Sequence, residues 1–130
     1  MRIFKTKQFA RFARRQGIGD ASLRDAVRRA ERGLIDADLR GGVIKQRIAR
    51  PGQGRSGGYR VLIAYRPTVQ AVFLFGFAKS ERDNVDDDEL ATLRDIAKRW
   101  LDAGVRGLAS AMESGLIQEV EHGKEEDEKA

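Results

Sequence analysis

The sequence predicts an α+β fold in the order β-αα-βββ-α, with helices packed on an antiparallel sheet of about four strands. Three observations lead to this prediction. Apolar residues recur at helical spacing in two early segments and in one late segment. Between these segments lie three runs rich in Val, Ile, Tyr and Phe, which favour strands. The length of 130 residues is enough for one domain with a modest core.

The N-terminal part is predicted to form one short strand and a helical hairpin. Residues 2–4 are typical of a strand. A first helix covers residues 6–16, because its apolar residues lie three and four apart and its initial threonine can cap it. A second helix runs from Asp20, as the capping residue, to about Arg32, and the following Gly33 favours a C-terminal stop.

The middle of the chain is predicted to form three strands, over residues 43–48, 59–66 and 70–78. Pro67-Thr68 indicates a tight antiparallel connection between the last two strands. The last strand is apolar on both faces, which is typical of a central strand covered on both sides. On simple alternation, one face of this strand carries Ala71, Phe73, Phe75 and Phe77.

The C-terminal part begins with a helix that opens at four successive acids, residues 86–89. Negative charge is favourable at a helix N-terminus. Residues 105–117 are predicted to form a weaker helix, and 118–130 a polar, acidic and mobile tail. The predicted organisation is therefore one domain over residues 1–103 and a tail over 104–130.

The net charge of +5 conceals an uneven distribution. Residues 104–130 carry seven acids and three basic residues, so this segment is −4 and residues 1–103 carry +9. Between Asp38 and Glu81 the sequence has eight Lys or Arg and no acid. Such a basic body indicates an anionic partner, usually nucleic acid. A surface that is merely soluble is the alternative.

Several classes of function are unlikely on composition alone. The chain has no cysteine, and its one histidine, His122, lies in the acidic segment. Neither a thiolate metal site nor histidine-based catalysis is therefore expected in the core, and no metal or cofactor is predicted. No apolar run is long enough to span a membrane and no signal peptide is evident, so a cytoplasmic protein is expected. Residues 52–57 match G-x-G-x-x-G by letter, but a strand follows, which favours a hairpin loop.

The candidate site is a set of basic residues on the predicted strands. Lys45 and Arg47 are two apart on one strand, so their side chains leave the same face roughly 7 Å apart. Arg60 lies on the next strand and Lys79 just beyond the last one. Clustered cations lower a lysine pKa and stabilise charge on a phosphodiester. RNA supplies its own nucleophile, the 2′-hydroxyl, so such a site could cleave RNA without a histidine.

These motifs resemble those of the RelE/HigB toxins of bacterial type II toxin–antitoxin systems. The order of elements agrees, and the resemblance covers about residues 1–103, with its specificity in 43–85. The segments that carry it are Ile44-Lys45-Gln46-Arg47, Arg50-Pro51-Gly52-Gln53-Gly54-Arg55-Ser56-Gly57-Gly58-Tyr59-Arg60 and Gly76-Phe77-Ala78-Lys79-Ser80-Glu81-Arg82.

The resemblance implies a ribosome-dependent endoribonuclease that cleaves mRNA and is neutralised by a cognate antitoxin, expected to be a helix-turn-helix protein. It implies that Lys45 and Arg47 grip phosphate and assist activation of the 2′-hydroxyl. Arg60 would stabilise the pentacovalent phosphate, and Lys79 completes the catalytic set. The residues expected to hold RNA are Arg50, Gln53, Arg55, Ser80 and Arg82.

The sequence departs from the family pattern where proton transfer is expected. RelE-like members have a second basic residue where this chain has Ser80, and often a tyrosine where it has Asp86. Two alternatives therefore remain open: a ParE-like inhibitor of DNA gyrase without a nuclease site, and an RNA-binding module that has lost activity. A fold-back of the acidic tail over the basic cleft is a further possibility.

Overall fold

A computed structural model describes residues 1–50 and 54–120, apart from the side chains of 54–56. It confirms the α+β class. The elements in chain order are β1 (Arg2–Thr6), α1 (Lys7–Gln16), α2 (Asp20–Glu31), β2 (Ala37–Asp38), β3 (Val43–Arg50), β4 (Gly54–Arg66), β5 (Gln70–Ala78), α3 (Asp87–Asp102), α4 (Gly104–Glu113) and β6 (Ile117–Glu119). None of the helices in the described ranges is long and apolar enough to cross a membrane.

The strands form one sheet in the order β2-β3-β4-β5-β1-β6. All neighbouring pairs are antiparallel except β1 and β5, which run parallel. The sequence predicted about four antiparallel strands. It did not predict β2 and β6, because strands of two and three residues are too short to show an alternating pattern.

Strand β6 corrects the assignment of residues 118–120 to the polar tail. It pairs with β1, and the backbone N–H of Val120 donates to the carbonyl of Ile3 at 2.8 Å. Val120 and Ile117 are buried. Packing against the sheet therefore continues past the predicted boundary at residue 103, while the acidic residues from 121 onward lie outside the described ranges.

The helix ends agree with most of the predicted signals. The side chain of Thr6 caps α1, and Gly17 ends it with a φ of 70°. The structure corrects the start of α2, where Gly19 is the capping residue. Asp20 is the first helical residue, and its carboxylate instead binds the ammonium group of Lys5 at 2.8 Å. At α3 the side chain of Asp86 accepts from the backbone of Glu89 within a capping box.

The core has two layers, one on each face of the sheet. On one face α1 and α2 pack over the sheet, with Phe9, Leu23 and Phe73 among the fully buried residues. On the other face α3 and α4 pack over Phe4, Leu62 and their neighbours. The side chains of Tyr59 and Tyr65 belong to the first layer, as their alternation with valine and isoleucine predicted.

A β-bulge in β5 corrects the predicted alternation of its phenylalanines. Leu62 lies opposite Phe75 while Ile63 lies opposite Phe73, so Leu74 is an extra residue in the ladder. Phe73 therefore packs with the α1 and α2 layer, whereas Phe75 and Phe77 pack with the α3 layer.

Candidate nucleic-acid interface

Strands β3 and β4 bring three of the predicted basic residues together on one sheet face. Arg47 lies directly opposite Arg60, and Lys45 lies opposite Leu62. The residues between them, Gln46 and Val61, point to the opposite face. This face is the one that carries α3, but the helix covers only the part nearer Val43 and Leu62. The remaining part presents the three cations.

The close approach of β3 to β4 requires a glycine at residue 58, just before Tyr59 and Arg60. Strand β3 is irregular between Ile48 and Arg50, and its backbone there approaches β4 closely. A Cβ atom at residue 58 would lie 2.2 Å from the carbonyl oxygen of Ile48 and 2.7 Å from the backbone nitrogen of Arg50. Only glycine permits this approach without backbone movement, and the approach fixes the register that places Arg60 opposite Arg47.

The three cations differ in their exposure. Arg47 is exposed, Lys45 is half-buried, and Arg60 is only 7% exposed. Burial lowers the pKa of Lys45, and the positive charges of Arg60, Lys79 and Arg47 lower it further. Burial and the charge of Arg47 also lower the pKa of Arg60. The site therefore holds positive charge at an energetic cost, which an incoming phosphate would relieve.

Lys79 lies at the end of β5, next to the same cluster. Its backbone N–H donates to the carbonyl of Gly58 at 2.9 Å, which extends the ladder between β4 and β5 by one residue. Its ammonium group binds the carboxylate of Asp83 at 2.6 Å. The structure therefore brings Lys79 to the site, with its charge partly balanced by an exposed acid.

Arg82 forms the link between the sheet and the start of α3. Its guanidinium lies over the rings of Phe75 and Phe77, at 5.9 and 5.4 Å from their centroids. It also donates to both carboxylate oxygens of Glu89, the acid of the capping box. This pair lowers the pKa of Glu89 to about 2. Arg82 is thus held in place as a structural part of the site.

Two residues at the site were missed by sequence reasoning. The side-chain oxygen of Asn84 accepts from the ammonium group of Lys45 at 3.4 Å, and its backbone carbonyl accepts from Arg82 at 2.9 Å. Gln46 is fully buried and binds the carbonyls of Ala26 and Leu34 at 3.0 and 3.1 Å. A loop asparagine gives no signal in sequence, but a glutamine between two basic residues of a strand indicates a buried polar contact.

One acid lies near the cluster, although none lies within its stretch of sequence. A carboxylate oxygen of Asp36 accepts from the backbone N–H of Arg47 at 2.7 Å and lies 3.6 Å from the guanidinium of Arg29. Its charge raises the pKa of Lys45, but this is the smallest of the effects on that group. Asp36 therefore fixes the edge of β3 and leaves the cluster cationic.

Arg50 does not join this cluster. It lies beyond the irregularity in β3, on the face that carries α1, and its guanidinium stacks 5.0 Å from the ring centroid of Tyr59. Ser80 is exposed in the turn after β5. Gln53 lies outside the described residues, and the structure describes only the backbone of Arg55, in β4.

The arrangement can bind a phosphodiester and stabilise negative charge on it. Arg47 and Arg60 supply two guanidinium groups from neighbouring strands, and guanidinium groups can bind phosphate in a bidentate manner. Lys45 adds an amine that loses its proton more readily than an ordinary lysine, because burial and the neighbouring cations lower its pKa. Within the described ranges, no group of three or more His, Cys, Asp or Glu is placed to hold a metal ion.

Comparison with known proteins gives one family match. A family model described as RelE toxin of RelE / RelB toxin-antitoxin system matches residues 1–120. This range includes α4 and β6 and ends at the last described residue. No curated protein matches the chain.

Proposed function

The chain belongs to the RelE toxin family of RelE/RelB toxin–antitoxin systems, and we propose that it is a ribosome-dependent endoribonuclease that cleaves mRNA. The observation that carries this proposal is the placement of Lys45, Arg47 and Arg60 together on one face of the sheet, with Arg47 exposed. A basic face of this kind suits a polyanion, and family membership points to mRNA as the polyanion.

Phosphate binding follows from the positions of the two arginines. Arg47 is exposed and can meet a phosphate in solution, whereas Arg60 is nearly buried and already oriented by its strand. Stabilisation of a transition state is strongest where the donor is fixed and water is excluded. We therefore assign initial phosphate binding to Arg47, and stabilisation of the pentacovalent phosphate to Arg60.

The RNA supplies both the nucleophile and the leaving group of the proposed reaction. The 2′-oxygen forms a bond to phosphorus, the bond from phosphorus to the 5′-oxygen breaks, and the products are a 2′,3′-cyclic phosphate and a 5′-hydroxyl. Lys45 in its neutral form is the proposed acceptor of the 2′-hydroxyl proton, and its lowered pKa supports this role. Lys79, the other amine at this end of the sheet, is the proposed donor to the 5′-oxygen.

The proposed partners are mRNA, the ribosome and a RelB-type antitoxin in the bacterial cytoplasm. A basic cleft is silenced when an acidic or bulky chain covers it, so the antitoxin is expected to block access to Arg47. That the antitoxin is a helix-turn-helix protein stays a prediction. The identity of the neighbouring gene would test it directly.

The proposal is tested by expressing the protein in bacteria and mapping mRNA ends on translating ribosomes. Growth arrest and cleavage are expected for the wild type. Lys45→Ala combined with Arg60→Ala should abolish both, because loss of one fixed donor alone costs about 10²–10³ in rate. The matched control is Arg99→Ala with Arg106→Ala, two exposed arginines on α3 and α4, which should leave cleavage unchanged.

Three results would contradict the proposal. Full toxicity of the Lys45→Ala, Arg60→Ala double variant would remove the site assignment. Inhibition of DNA supercoiling by purified gyrase, without any mRNA cleavage, would favour the ParE-like alternative. Binding of RNA with no cleavage on translating ribosomes would instead indicate an inactive RNA-binding module.

A further inference from the structure

The outer face of α1 carries a second concentration of positive charge. Its cations are Lys7, Arg11, Arg14 and Arg15, all exposed. At 3.6 residues per turn these positions fall within a sector of roughly 100° on the helix surface. The opposite side of α1 is buried against the sheet, through Phe9 among others. We call these four residues the α1 face.

The α1 face has no acidic partners. No Asp or Glu precedes Asp20 in the sequence, and α1 itself contains none. Within the described part of the chain, none of the four side chains forms an ion pair or a hydrogen bond. Some cations on the other helices are paired, as in Arg29 with Asp25 and Lys98 with Asp102. The α1 face instead gathers four cations on one side of a helix that contains no acid, which favours an external anionic partner.

Arg50 extends this surface at the C-terminal end of α1. The hydroxyl of Tyr59 donates to the carbonyl of Gln16 at 3.3 Å, and it accepts from the Nε of Arg50 at 3.1 Å. This bridge holds Arg50 beside the end of the helix. Arg50 also lies on the face of the sheet opposite Lys45. The α1 face and Arg50 are therefore separate from the proposed cleavage site.

We propose that the α1 face, with Arg50 at its end, binds the phosphate backbone of double-helical RNA. From Lys7 to Arg14 the helix rises by roughly 10 Å, so several phosphates can be contacted at once. Proteins that bind single strands usually offer exposed aromatic rings. The rings of α1 point inward, since Phe9 is buried and Phe12 packs against Tyr59. Contacts to phosphate alone suit duplex RNA, which proteins recognise mostly by shape.

This inference rests on the proposed function and deepens it. An enzyme that cleaves message only on the ribosome needs a way to bind the ribosome, and the ribosome is rich in double-helical RNA. The α1 face would hold structured RNA while the opposite side of the sheet holds the message. An acidic protein is the competing occupant, but protein interfaces usually include an apolar centre, and the α1 face has none.

The test measures binding of the purified protein to an RNA hairpin with a stem of about 16 base pairs over a range of salt. In the variant Lys7→Gln, Arg11→Gln, Arg14→Gln, affinity near 0.1 M salt should fall at least tenfold, and the slope of log K against log salt should decrease by about 2–3. The charge-preserving variant Arg11→Lys, Arg14→Lys should keep most of the slope.

The matched control removes three exposed cations elsewhere, with Lys98→Gln, Arg99→Gln and Arg106→Gln, and should change the slope little. Circular dichroism would check that each variant is folded. Unchanged hairpin affinity in a folded α1-face variant would overturn the inference, and would leave an acidic protein as the occupant to test.

Failure of this inference can be separated from failure of the proposed function. Lys45→Ala with Arg60→Ala should lose cleavage but keep hairpin binding, because these residues lie on the other face. If the wild type binds the hairpin through α1 yet cleaves no message, the nuclease proposal fails alone. If cleavage requires Lys45 but the α1 face has no effect on hairpin binding, the present inference fails alone.

Discussion

Replacement of Lys45 by methionine is expected to stabilise the protein while it abolishes cleavage. Methionine keeps the length and packing of the lysine stem but removes the charge and the amine. In the folded protein the Lys45 pKa is lowered from its ordinary value of 10.5, so the charged form opposes folding at neutral pH. The same amine is the proposed acceptor of the 2′-hydroxyl proton. Stability and activity should therefore move in opposite directions.

Burial is the largest cause of the lowered Lys45 pKa, and the size of the added repulsion follows from the spacing of the cluster. Residues two apart on a strand lie roughly 7 Å from each other, at which two unit charges repel by about 0.6 kcal/mol in water and about 2.4 kcal/mol at an effective dielectric of 20. Lys45 faces three such cations, partly exposed to solvent and salt. Loss of its hydrogen bond to Asn84 offsets about 0.5 kcal/mol. The net expected gain is about 0.5–2 kcal/mol.

The assay is urea denaturation at neutral pH, together with mapping of message ends on translating ribosomes. The unfolded chain binds more protons than the folded one between the lowered pKa of Lys45 and 10.5, so wild-type stability should rise with pH in that window. The advantage of Lys45→Met should shrink there. The matched control is Lys98→Met, which removes a lysine paired with Asp102 and should lower stability slightly.

Two results would refute this reasoning. If Lys45→Met unfolds at lower urea than the wild type with an unchanged m-value, the cations do not repel one another enough to strain the fold. If Lys45→Met cleaves message at the wild-type rate, the amine takes no part in proton transfer.

Three further predictions concern the supports of the site. Gln46→Met loses three hydrogen bonds and should lower the free energy of unfolding, measured by urea denaturation, by about 2–4 kcal/mol. Gln70→Met loses one hydrogen bond and should lower it by about a third as much. Glu89→Gln should be less stable than wild type at pH 7, and the difference should vanish on acid titration between pH 4.5 and about 2. Gly76→Ala places a Cβ 2.4 Å from the ring of Phe12, so the free energy of unfolding, measured by thermal denaturation, should fall by about 1–3 kcal/mol.

The sequence predicted most of the long elements well, because their patterns repeat over several turns or several alternations. Strand β4 is the exception, since it begins at Gly54, five residues before its predicted start and within the predicted loop. Helices α1 and α3 agree with their predicted bounds within about one residue, since Thr6, Gly17 and Asp86 are strong local signals. The short edge strands could not be predicted, because their pairing depends on partners distant in the chain. The bulge at Leu74 could not be predicted either, because it depends on how β4 and β5 pair along their length.

The candidate site was predicted in part. Alternation alone placed Lys45 and Arg47 on one face, and neighbouring strands then brought Arg60 opposite. Arg50 was predicted to hold RNA near this cluster, but it lies three residues after Arg47, so strand alternation places its side chain on the other side of the sheet, where it stacks on Tyr59. The contribution of Asn84 depends on the path of a loop, which no periodic pattern describes.

The bulge in β5 divides that strand into two segments whose phenylalanines pack on opposite faces of the sheet. Before the bulge, Phe73 packs under the helical hairpin. After the bulge, the rings of Phe75 and Phe77 lie beneath the guanidinium of Arg82. Deletion of Leu74 would therefore remove the bulge but leave every other residue of β5 opposite its present partner in β4 and on its present face. Deletion of Gly76, which lies outside the bulge, would instead turn Phe77 toward the hairpin and away from Arg82, although every charged residue would remain in the sequence.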